Sequence, residues 1–517
     1  MPFTRAERIA IIGGGCTGVT CFWALQGSEH DVHLFEASSS LNGRIKVLPY
    51  EHGENRVDVD TESPSFNAMT SPNLVSLLCC LGITVSAVPF SFSVSDGTNT
   101  FEWCGGFLKS ILLRPLLLGS LETYRLLLDL VLLKYLNSDS LTFKYWTGGT
   151  CKCHKTSSIY EGLSRKGYSN IFRDNYLAPL LSALWRTNAG RFLPSFPFDA
   201  LVRCLNDHQM LCRTPEWRRI DMGVNNFIEA MTRNFPLERV HLNTNIREIQ
   251  LSGKGQYSLI TSDGQQLYFD HIVFAVDGQE ILRLWHPKLL SVEEKEIIEH
   301  LKTTKNIAVL HSDVLLTTRI SRSAYIYNVA TSSHQHRHGD STALKSCLTY
   351  NVNTLQGIPS SLFGPIFITL NPFIPPHPRF VQGIWEFTDP ELRSETLHAQ
   401  ARLPSIQNKR GLSYGFRWTG RGFLEDSITA GLEIAVEHLG AKLPFEIDRQ
   451  YPLDSSEPVS LNSGLKDHLV RVTLTLIRIY VQLLQLGLVL LGAIGTFFPG
   501  IRALFMRLNK IRVFKPV

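Results

Sequence analysis

The stretch RIAIIGGGCTGVTCFWALQGSEHDVHLFEA, residues 8–37, constrains the fold more than any other part of the chain. Its opening apolar run, rich in isoleucine, predicts a buried parallel strand. Gly13, Gly15 and Gly18 then fit the pattern G-x-G-x-x-G. The first glycine makes a tight turn, the second lets the backbone approach a pyrophosphate, and the third lets helix and strand pack closely. The helix that follows would direct its amide N–H groups and its dipole at the phosphates.

A second strand, DVHLF, is followed directly by Glu36. A carboxylate about 20 residues after the glycine loop can hydrogen-bond a ribose 2′-hydroxyl, and it would repel a 2′-phosphate. The alternative is a glycine-rich turn in an α/β domain that binds no ligand. This alternative explains only the glycines. Because strand, helix, second strand and acidic residue follow in order, the sequence favours dinucleotide binding.

Charge is distributed unevenly along the chain. There are 51 basic and 46 acidic residues, and residues 501–517 hold five of the basic ones and no acidic one. The rest of the chain is therefore neutral, which argues against nucleic-acid binding as its main task. The basic tail suits an anionic membrane surface better.

Length and cysteine usage limit the domain organisation and the cellular compartment that we expect. A chain of 517 residues exceeds one ordinary core, so we expect about three domain-sized units or one large enzyme with an inserted domain. Its ten cysteines are scattered, and Ile9 already belongs to a predicted strand, so we expect no export signal and reduced thiols in the cytosol. CKCH (151–154) lacks a second ligand pair, and SHQHRHG (333–339) is interpreted as an exposed loop, so no metal site is expected.

A series of further motifs follows the glycine loop. LNGRIKV (41–47) places Gly43 and Arg44 just after the acidic residue. The others are FEWCG (101–105), LAPLLSALWR (177–186), CLNDHQML (204–211), EWRRIDMGVNNFI (216–228), NIAVLHSD (306–313), LTYNVNTLQG (348–357), ITLNPF (368–373) and WTGRGFLEDSITAGLEIA (418–435). In this order, from residue 8 to 440, they resemble the flavin-containing amine oxidase and phytoene desaturase superfamily. The nearest resemblance is to predicted FAD oxidoreductases associated with cyclopropane-fatty-acid synthases in bacteria, with fungal relatives.

The resemblance implies FAD as the cofactor, and no second glycine fingerprint indicates a separate nicotinamide domain. Arg44 would donate charge-assisted hydrogen bonds to phosphate, and Ile246 would present its backbone to the adenine. The helix opened by Glu425 would point its amide N–H groups at the pyrimidine edge of the flavin or at the ribityl chain. A simple helix cap is the alternative reading of LEDS (424–427). The implied cofactor-binding residues are Gly13, Gly15, Thr17, Gly18, Glu36, Gly43, Arg44, Ile246, Leu424, Glu425, Asp426 and Ser427.

The predicted fold class is α/β, with a Rossmann-like, discontinuous FAD-binding domain of the glutathione-reductase type. The strand-rich stretch 239–275, with its SDG hairpin signal, indicates that the chain re-enters this domain after an inserted segment. We expect the FAD-binding domain at 1–75, 215–300 and 405–445, an α+β substrate domain at 76–214 and 301–404, and a C-terminal membrane-associated segment at 465–517.

Residues 479–501 contain no charged side chain, and a helix of that length would span about 35 Å against a hydrocarbon core of about 30 Å. A C-terminal hydrophobic helix that anchors the chain in a membrane is predicted, and a buried core helix is the alternative. A helix that enters the membrane and turns back at Pro499 would keep both the basic tail and the flavin domain on the cytoplasmic side. The leucine-rich stretch 107–136 predicts two amphipathic helices broken near Pro115, which either cover the substrate cavity or dip into the membrane.

Two departures from the family pattern bear on the chemistry. Gly223-Val224-Asn225 stands where the family has Gly-Gly-Ser, and FLEDS (423–427) stands where it has Phe-His-Glu-Asp-Gly. Tyr414, Phe416 and Trp418 alternate before the second motif, and they would either flank a substrate amine or pack as a core strand.

The expected function is FAD-dependent oxidation, desaturation or isomerisation of a small lipophilic substrate, by hydride transfer to flavin. We expect a membrane-associated protein that binds lipid through its C-terminal segment, with a cytosolic catalytic domain. The alternatives are an amine oxidase that releases peroxide and a non-catalytic flavin-bound membrane protein. The sequence identifies no catalytic side chain and no oligomeric state.

Overall fold

The structure is a computed structural model of the 517-residue chain. It describes residues 6–41, 43, 46–62, 65–95, 100–103, 121–136, 157–186, 189–207, 216–221, 223–252, 255–285, 290–316, 323–329, 346–391 and 393–449. Beyond these it describes helical positions 469, 472–477, 479, 480, 483 and 487.

A five-stranded parallel sheet carries the glycine loop. Its strands are β1 (Arg8–Ile12), β2 (Asp31–Phe35), β10 (Val240–His241), β14 (His271–Phe274) and β20 (Leu412–Tyr414), in the order β10-β2-β1-β14-β20. All four neighbouring pairs run parallel. Three separate parts of the chain contribute strands, so this sheet forms only when distant segments return to it. The domain boundaries given above stay predictions.

A seven-stranded sheet forms the second layer. Its strands are β7 (Phe92–Ser95), β8 (Thr100–Trp103), β15 (Thr303–His311), β16 (Tyr325–Val329), β17 (Ser346–Asn351), β18 (Phe367–Leu370) and β19 (Val381–Pro390), in the order β19-β15-β18-β17-β16-β7-β8. Only β7 and β16 pair in parallel, and the other neighbours are antiparallel.

Three smaller sheets complete the strands. A hairpin pairs β3 (Val47–His52) with β4 (Asn55–Asp60). A three-stranded sheet has the order β5-β9-β6, with β5 (Ser65–Asn67), β6 (Val85–Ala87) and β9 (Trp217–Ile220). An antiparallel meander joins β11 (Ile246–Leu251), β12 (Tyr257–Thr261) and β13 (Gln266–Phe269). The meander packs on the parallel sheet, because Phe269 meets Phe35 edge-on with 5.7 Å between ring centroids.

The first seven described helices lie between residues 16 and 192. They are α1 (Cys16–Ala24), α2 (Pro72–Cys80), α3 (Leu121–Leu136), α4 (Ile159–Arg165), α5 (Asn170–Phe172), α6 (Ala178–Trp185) and α7 (Ala189–Phe192). The remaining ones are α8 (Phe198–Asp207), α9 (Gly223–Thr232), α10 (Gly278–Leu284), α11 (Val292–Glu299), α12 (Val352–Gln356), α13 (Ser360–Phe363), α14 (Ser394–Arg402) and α15 (Leu424–Glu433).

Close packing of α15 on α1 positions the site. A Cβ atom on Gly431 would lie 2.5 Å from the Thr17 carbonyl oxygen, so only glycine lets the two helices approach this closely. Gly415, just after β20, would likewise place a Cβ atom 2.5 Å from Ile434. The segment between Gly415 and α15 therefore lies beside the start of α1, although four hundred residues separate them in the sequence.

Within the described residues, no helix combines the length and the apolar character that crossing a bilayer requires. The predicted C-terminal hydrophobic helix at 479–501 falls largely outside these residues, so the structure does not show it. The basic tail and the first of the two helices predicted in 107–136 also lie outside them, while the second is seen as α3.

Candidate functional site

The glycine loop between β1 and α1 has the geometry that its sequence predicts. Gly13 has φ of 110°, and a Cβ atom there would lie 2.6 Å from the carbonyl oxygen of Ala275. A Cβ atom on Gly18 would lie 1.9 Å from the carbonyl oxygen of Gly13. Gly15 differs, since its Cβ atom would meet nothing closer than 4.0 Å. Two glycines therefore tighten the turn, and Gly15 leaves its backbone open to an approaching group.

Gly43 lies opposite Gly15 across this opening. A Cβ atom on Gly43 would lie 2.7 Å from the Cα atom of Gly15, and Gly43 has φ of 54°. Two glycine backbones facing each other form a cradle that any side chain would fill, which fits the pyrophosphate of a dinucleotide. Arg44, predicted to contact the phosphates, lies outside the described residues.

Glu36 follows β2 directly and is tied to the glycine loop. Its carboxylate accepts hydrogen bonds from the Gly14 amide at 2.7 Å and from the Ser38 amide at 2.8 Å. Its backbone carbonyl accepts one from the Thr244 amide at 2.9 Å. The carboxylate is thus held at the carboxyl edge of the parallel sheet, where the sequence placed it. Its contact with a ribose stays a prediction.

Ile246 begins β11, two residues after Thr244, and is buried. Its carbonyl accepts a hydrogen bond from the Arg283 guanidinium at 3.4 Å. The bond from the Thr244 amide to the Glu36 carbonyl therefore brings the chain that leads into β11 close to the end of β2. The backbone contact of Ile246 with adenine stays a prediction.

The start of α15 uses its acidic side chains as helix caps. The Asp426 carboxylate accepts a hydrogen bond from the Phe423 amide at 2.7 Å. The Glu425 carboxylate accepts from the amides of Asn73 and Leu74, at 3.0 and 2.8 Å, and so caps α2. Burial raises the pKa of Glu425 to about 7. Both side chains therefore act on helix termini. Leu424 and Ser427 follow in the same turn, and whether backbone amides here meet the flavin stays a prediction.

An ion-pair cluster, formed by Arg186, Glu62 and Arg417, lies between the glycine loop and α15. The Glu62 carboxylate contacts the Arg186 guanidinium at 2.8 Å and that of Arg417 at 3.5 Å. The pKa of the nearby Cys16 thiol is raised to about 12, mainly by burial and also by the Glu62 carboxylate, while Arg417 opposes the rise. Cys16 opens α1, so the ion-pair cluster lies directly beside the glycine loop.

Two tyrosines of the seven-stranded sheet approach the ion-pair cluster. Tyr325 and Tyr350 are paired across β16 and β17, with ring centroids 5.7 Å apart. The Tyr325 hydroxyl lies 2.8 Å from the Ser65 hydroxyl. Burial raises the pKa of Tyr350, and the charge of Arg186 opposes this rise while that of Glu62 adds to it. This sheet thus reaches the ion-pair cluster through Tyr350.

Helix α6 is largely apolar and ends at the ion-pair cluster. All eight of its residues are buried. At its last residue, the Trp185 indole N–H donates a hydrogen bond to the Arg421 carbonyl at 3.0 Å. The Trp185 ring also stacks on Phe423, with centroids 6.1 Å apart. An apolar helix therefore reaches the segment that precedes α15.

Neither the ion-pair cluster nor a role for Tyr350 is predicted from the sequence. Arg186, Arg417 and Tyr350 do lie inside or beside quoted motifs, namely LAPLLSALWR, WTGRGFLEDSITAGLEIA and LTYNVNTLQG. Arg186 ends an apolar run, and a charged residue in that position is the one feature of the sequence that could have indicated the ion-pair cluster.

The alternating aromatic residues before α15 are part of the core. Tyr414 stacks on Phe274 with centroids 5.4 Å apart, and its hydroxyl donates to the Glu294 carboxylate at 3.3 Å. Phe416 and Trp418 are also buried. This arrangement favours the core-strand alternative over a cage around a substrate amine.

Two cavities lie near the parallel sheet. One of about 210 Å³ lies between the starts of α2 and α15 and is lined by Asn73, Arg421 and Glu425, among others. A larger one of about 610 Å³ is lined by His271 and Gly411, at the edge where β14 and β20 begin. The larger cavity is thus on the opposite edge of the parallel sheet from the glycine loop, and the smaller one lies beside the first turn of α15.

Metal ligands are absent from the described part of the chain, where no group of three or more histidine, cysteine, aspartate or glutamate side chains is suited to hold an ion. The stretches CKCH (151–154) and SHQHRHG (333–339) lie outside that part.

Comparison with protein families gives two matches. Residues 11–80 match the NAD(P)-binding Rossmann-like domain, and residues 152–312 match the flavin containing amine oxidoreductases. A comparison with curated protein sequences gave no match.

Solved structures with this fold include several flavin enzymes. Putrescine oxidase bound to putrescine is similar with a TM-score of 0.59 at 12% identity, over 84% of this chain and 99% of that chain. Cyclohexylamine oxidase from Brevibacterium oxydans IH-35A has a TM-score of 0.57 at 13% identity, over 84% and 99% of the two chains. A CLA-producing fatty acid isomerase from P. acnes has a TM-score of 0.57 at 13% identity, again over 84% and 99%.

The fold and the two matched segments define an FAD-dependent oxidoreductase with the fold of the flavin-containing amine oxidases. The predicted α/β class, the Rossmann-like domain and FAD as the cofactor are confirmed. The narrower resemblance, to the group associated with cyclopropane-fatty-acid synthases, stays a prediction.

Proposed function

We propose that the chain oxidises, desaturates or isomerises a lipophilic substrate. The observation that carries this proposal is α6, whose eight residues are all buried and whose last side chain contacts Arg421 and Phe423. The hydrocarbon part of the substrate would bind where α6 meets the segment preceding α15, because burying apolar surface gains about 25 cal/mol per Å².

FAD, when bound, accepts a hydride from the substrate. The residues of this chain hold and orient the reactants. Gly15 and Gly43 provide the cradle for the pyrophosphate. Trp185, buried and bonded to the Arg421 carbonyl, would lie beside the substrate and help to keep water from it. Excluding water strengthens every electrostatic interaction in the site.

Anaerobic bleaching of the flavin tests the proposal. Protein with full FAD occupancy is mixed with lipid extracts separated by class, and the loss of visible flavin absorbance is followed. We expect one class of lipophilic compounds to bleach the flavin. If no lipid class bleaches it, the proposal is wrong.

An amine oxidase that releases peroxide is the second candidate. It is favoured by the match of residues 152–312 to the flavin containing amine oxidoreductases and by the similarity to putrescine oxidase. Against it, Tyr414 and Trp418 are buried in the core. Peroxide release on addition of amines, measured with the same preparation, separates the two candidates.

We further propose that the protein associates with a membrane through its C-terminal segment. The described helical positions there expose apolar side chains, namely Leu469, Val472, Leu476, Ile477, Ile479, Tyr480 and Leu483. Exposed apolar surface followed by a basic tail suits a bilayer that carries anionic lipid. Flotation with phosphatidylserine-containing vesicles tests this. The full chain should float, and a chain ending at residue 449 should not. Equal behaviour of both chains would contradict the proposal.

A further inference from the structure

Two histidines meet at the edge of the parallel sheet, next to the strand end that carries Glu36. His33 lies in β2, and His241 ends β10, the neighbouring strand. The His33 Nδ1 atom lies 3.0 Å from the His241 Nε2 atom. The His241 ring also stacks on Phe35, with centroids 4.5 Å apart. Phe35 directly precedes Glu36, so this histidine pair lies close to the carboxylate that is predicted to hold the ribose.

Backbone hydrogen bonds continue the contact between the two chain segments beyond the pair. The Glu36 amide donates to the His241 carbonyl at 2.9 Å, and the Asn243 amide donates to the Ser38 carbonyl at 2.9 Å. The Thr244 amide donates to the Glu36 carbonyl, also at 2.9 Å. Because β10 has two residues, the histidine pair adds a side-chain bond to a short strand pairing. Separating the pair would loosen the segment that leads from β10 into β11.

The surroundings of the pair determine which nitrogen atoms carry protons. His33 Nε2 lies 3.2 Å from the Asp31 carboxylate, which also contacts the guanidinium groups of Arg8 at 3.1 Å and Arg239 at 3.6 Å. Burial raises the pKa of Asp31, but the hydrogen bond from His33 and the nearby positive charges lower it by more. A charged carboxylate can only accept, so His33 donates to Asp31 from Nε2. His33 Nδ1 then accepts a hydrogen bond from His241 Nε2.

The pair can hold one added proton but not two. With one, His33 donates from both ring nitrogen atoms and His241 Nε2 accepts. With two, both facing nitrogen atoms carry protons, so the bond is lost and two positive rings repel each other. Burial, the His33 charge and Arg8 lower the pKa of His241 from its ordinary value of 6.5, while the meander faces His33 with the uncharged ring of Phe269. The bonded pair therefore loses stability as pH falls below 6.5, because separated rings take up the second proton more readily.

We propose that His33 and His241 are positioning residues for FAD. The bonded pair holds the start of β11 beside Glu36, and double protonation releases it. FAD binding should favour the bonded pair, so release of FAD in acid should be accompanied by uptake of a proton. The inference rests on the predicted contact of Glu36 with the ribose and is independent of which substrate the flavin oxidises.

The dissociation constant of FAD, measured from about pH 8 to about pH 5, tests the proposal. Full-length protein loaded with FAD is diluted at each pH, and release is followed by the rise in FAD fluorescence. If release takes up one proton, the dissociation constant rises by up to about tenfold per pH unit below pH 6.5.

His241→Gln separates the bond from the titration. The glutamine amide can donate to His33 or accept from it, and it takes up no proton. This variant should bind FAD as the wild type does at about pH 8 and should lack the added loss in acid. His241→Phe keeps a ring on Phe35 but removes the bond, so it should weaken FAD binding about two- to tenfold at about pH 8.

Two control variants complete the experiment. His300→Gln removes an exposed histidine that follows α11, and it should keep the pH dependence of the wild type. Glu36→Gln should weaken FAD binding at every pH. If it does not, the predicted ribose contact is wrong and the present inference fails with it.

If Glu36→Gln weakens binding but wild type and His241→Gln show the same pH dependence, the present inference alone is wrong. The melting temperature of each variant, measured at each pH, separates positioning from general stability. A lower melting temperature of His241→Phe with unchanged FAD binding would show that the histidine pair stabilises the sheet without positioning the cofactor, and would also overturn the inference.

Discussion

Replacing Gly18 by alanine perturbs the glycine loop at its tightest point. The new Cβ atom would lie 1.9 Å from the Gly13 carbonyl oxygen and 3.2 Å from the Cβ atom of Ala275. Ordinary contacts of this kind are longer than 3.0 Å, so the loop and α1 must separate by at least 1.1 Å, the difference between 3.0 and 1.9 Å. The oxygen involved is backbone, and it cannot turn away as a side chain would.

Overpacking of this kind costs about 1–3 kcal/mol. If the displaced loop transfers that cost to cofactor binding, the dissociation constant for FAD rises about 5- to 150-fold. Gly27→Ala is the matched control, because a Cβ atom there would meet nothing within 4 Å. That variant should bind FAD as the wild type does.

The assay is the ratio of flavin to protein after purification, followed by titration of the apoprotein with FAD. Gly18→Ala should be depleted of flavin and should need more FAD for saturation, while Gly27→Ala should be unaffected. Full flavin occupancy in Gly18→Ala, with an unchanged dissociation constant, would refute the close contact between α1 and the glycine loop.

Two more predictions concern stability. Burial and the neighbouring Glu437 raise the pKa of Glu433 to about 7 from an ordinary value of 4.5, so its charged form is disfavoured in the folded state. The loss of folding stability caused by this group grows as pH rises from about 4.5 to about 7. Glu433→Gln should therefore raise the melting temperature most at about pH 8 and not at about pH 4. An equal gain at both pH values would contradict the prediction. The second prediction concerns Gly223, which has φ of 88°. A Cβ atom added there would lie 2.7 Å from the Asp60 carboxylate, which accepts a hydrogen bond from the first turn of α9. Gly53 has φ of 60°, and a Cβ atom added there would meet nothing within 4 Å. Gly223→Ala should therefore lower the melting temperature more than Gly53→Ala does, and equal losses would show that only the left-handed backbone matters.

Near α15, the structure shows the side-chain contacts of residues whose roles the sequence left open, while the contact of the α15 backbone amides with the flavin stays a prediction. The acidic side chains of LEDS (424–427) cap α2 and α15, and the aromatic series that includes Tyr414 belongs to the core. Both outcomes had been recognised as alternatives. A helix cap and a cofactor contact require the same residue types at the same spacing, so only the partner that is present can distinguish them.

The glycine loop and its acidic residue could be predicted because they belong to one local unit. Gly13, Gly15, Gly18 and Glu36 lie within a single β-α-β stretch, and their spacing alone fixes the turn and the strand end. Backbone conformation at glycine and the register of neighbouring parallel strands are local properties. The sequence by itself therefore determined the α/β class, the dinucleotide cradle and the position of the carboxylate.

Only the tertiary structure brought the ion-pair cluster together. Arg186 lies 124 residues from Glu62, and Arg417 lies 355 residues from it. Charged residues are frequent along any chain, and nothing in their spacing indicates which of them meet. Their pairing follows from the tertiary packing that brings the end of α6 and the segment before α15 to Glu62, which lies just after β4. The chemistry of this site is decided by those distant contacts, because burial sets the strength of charge interactions and local sequence does not determine burial.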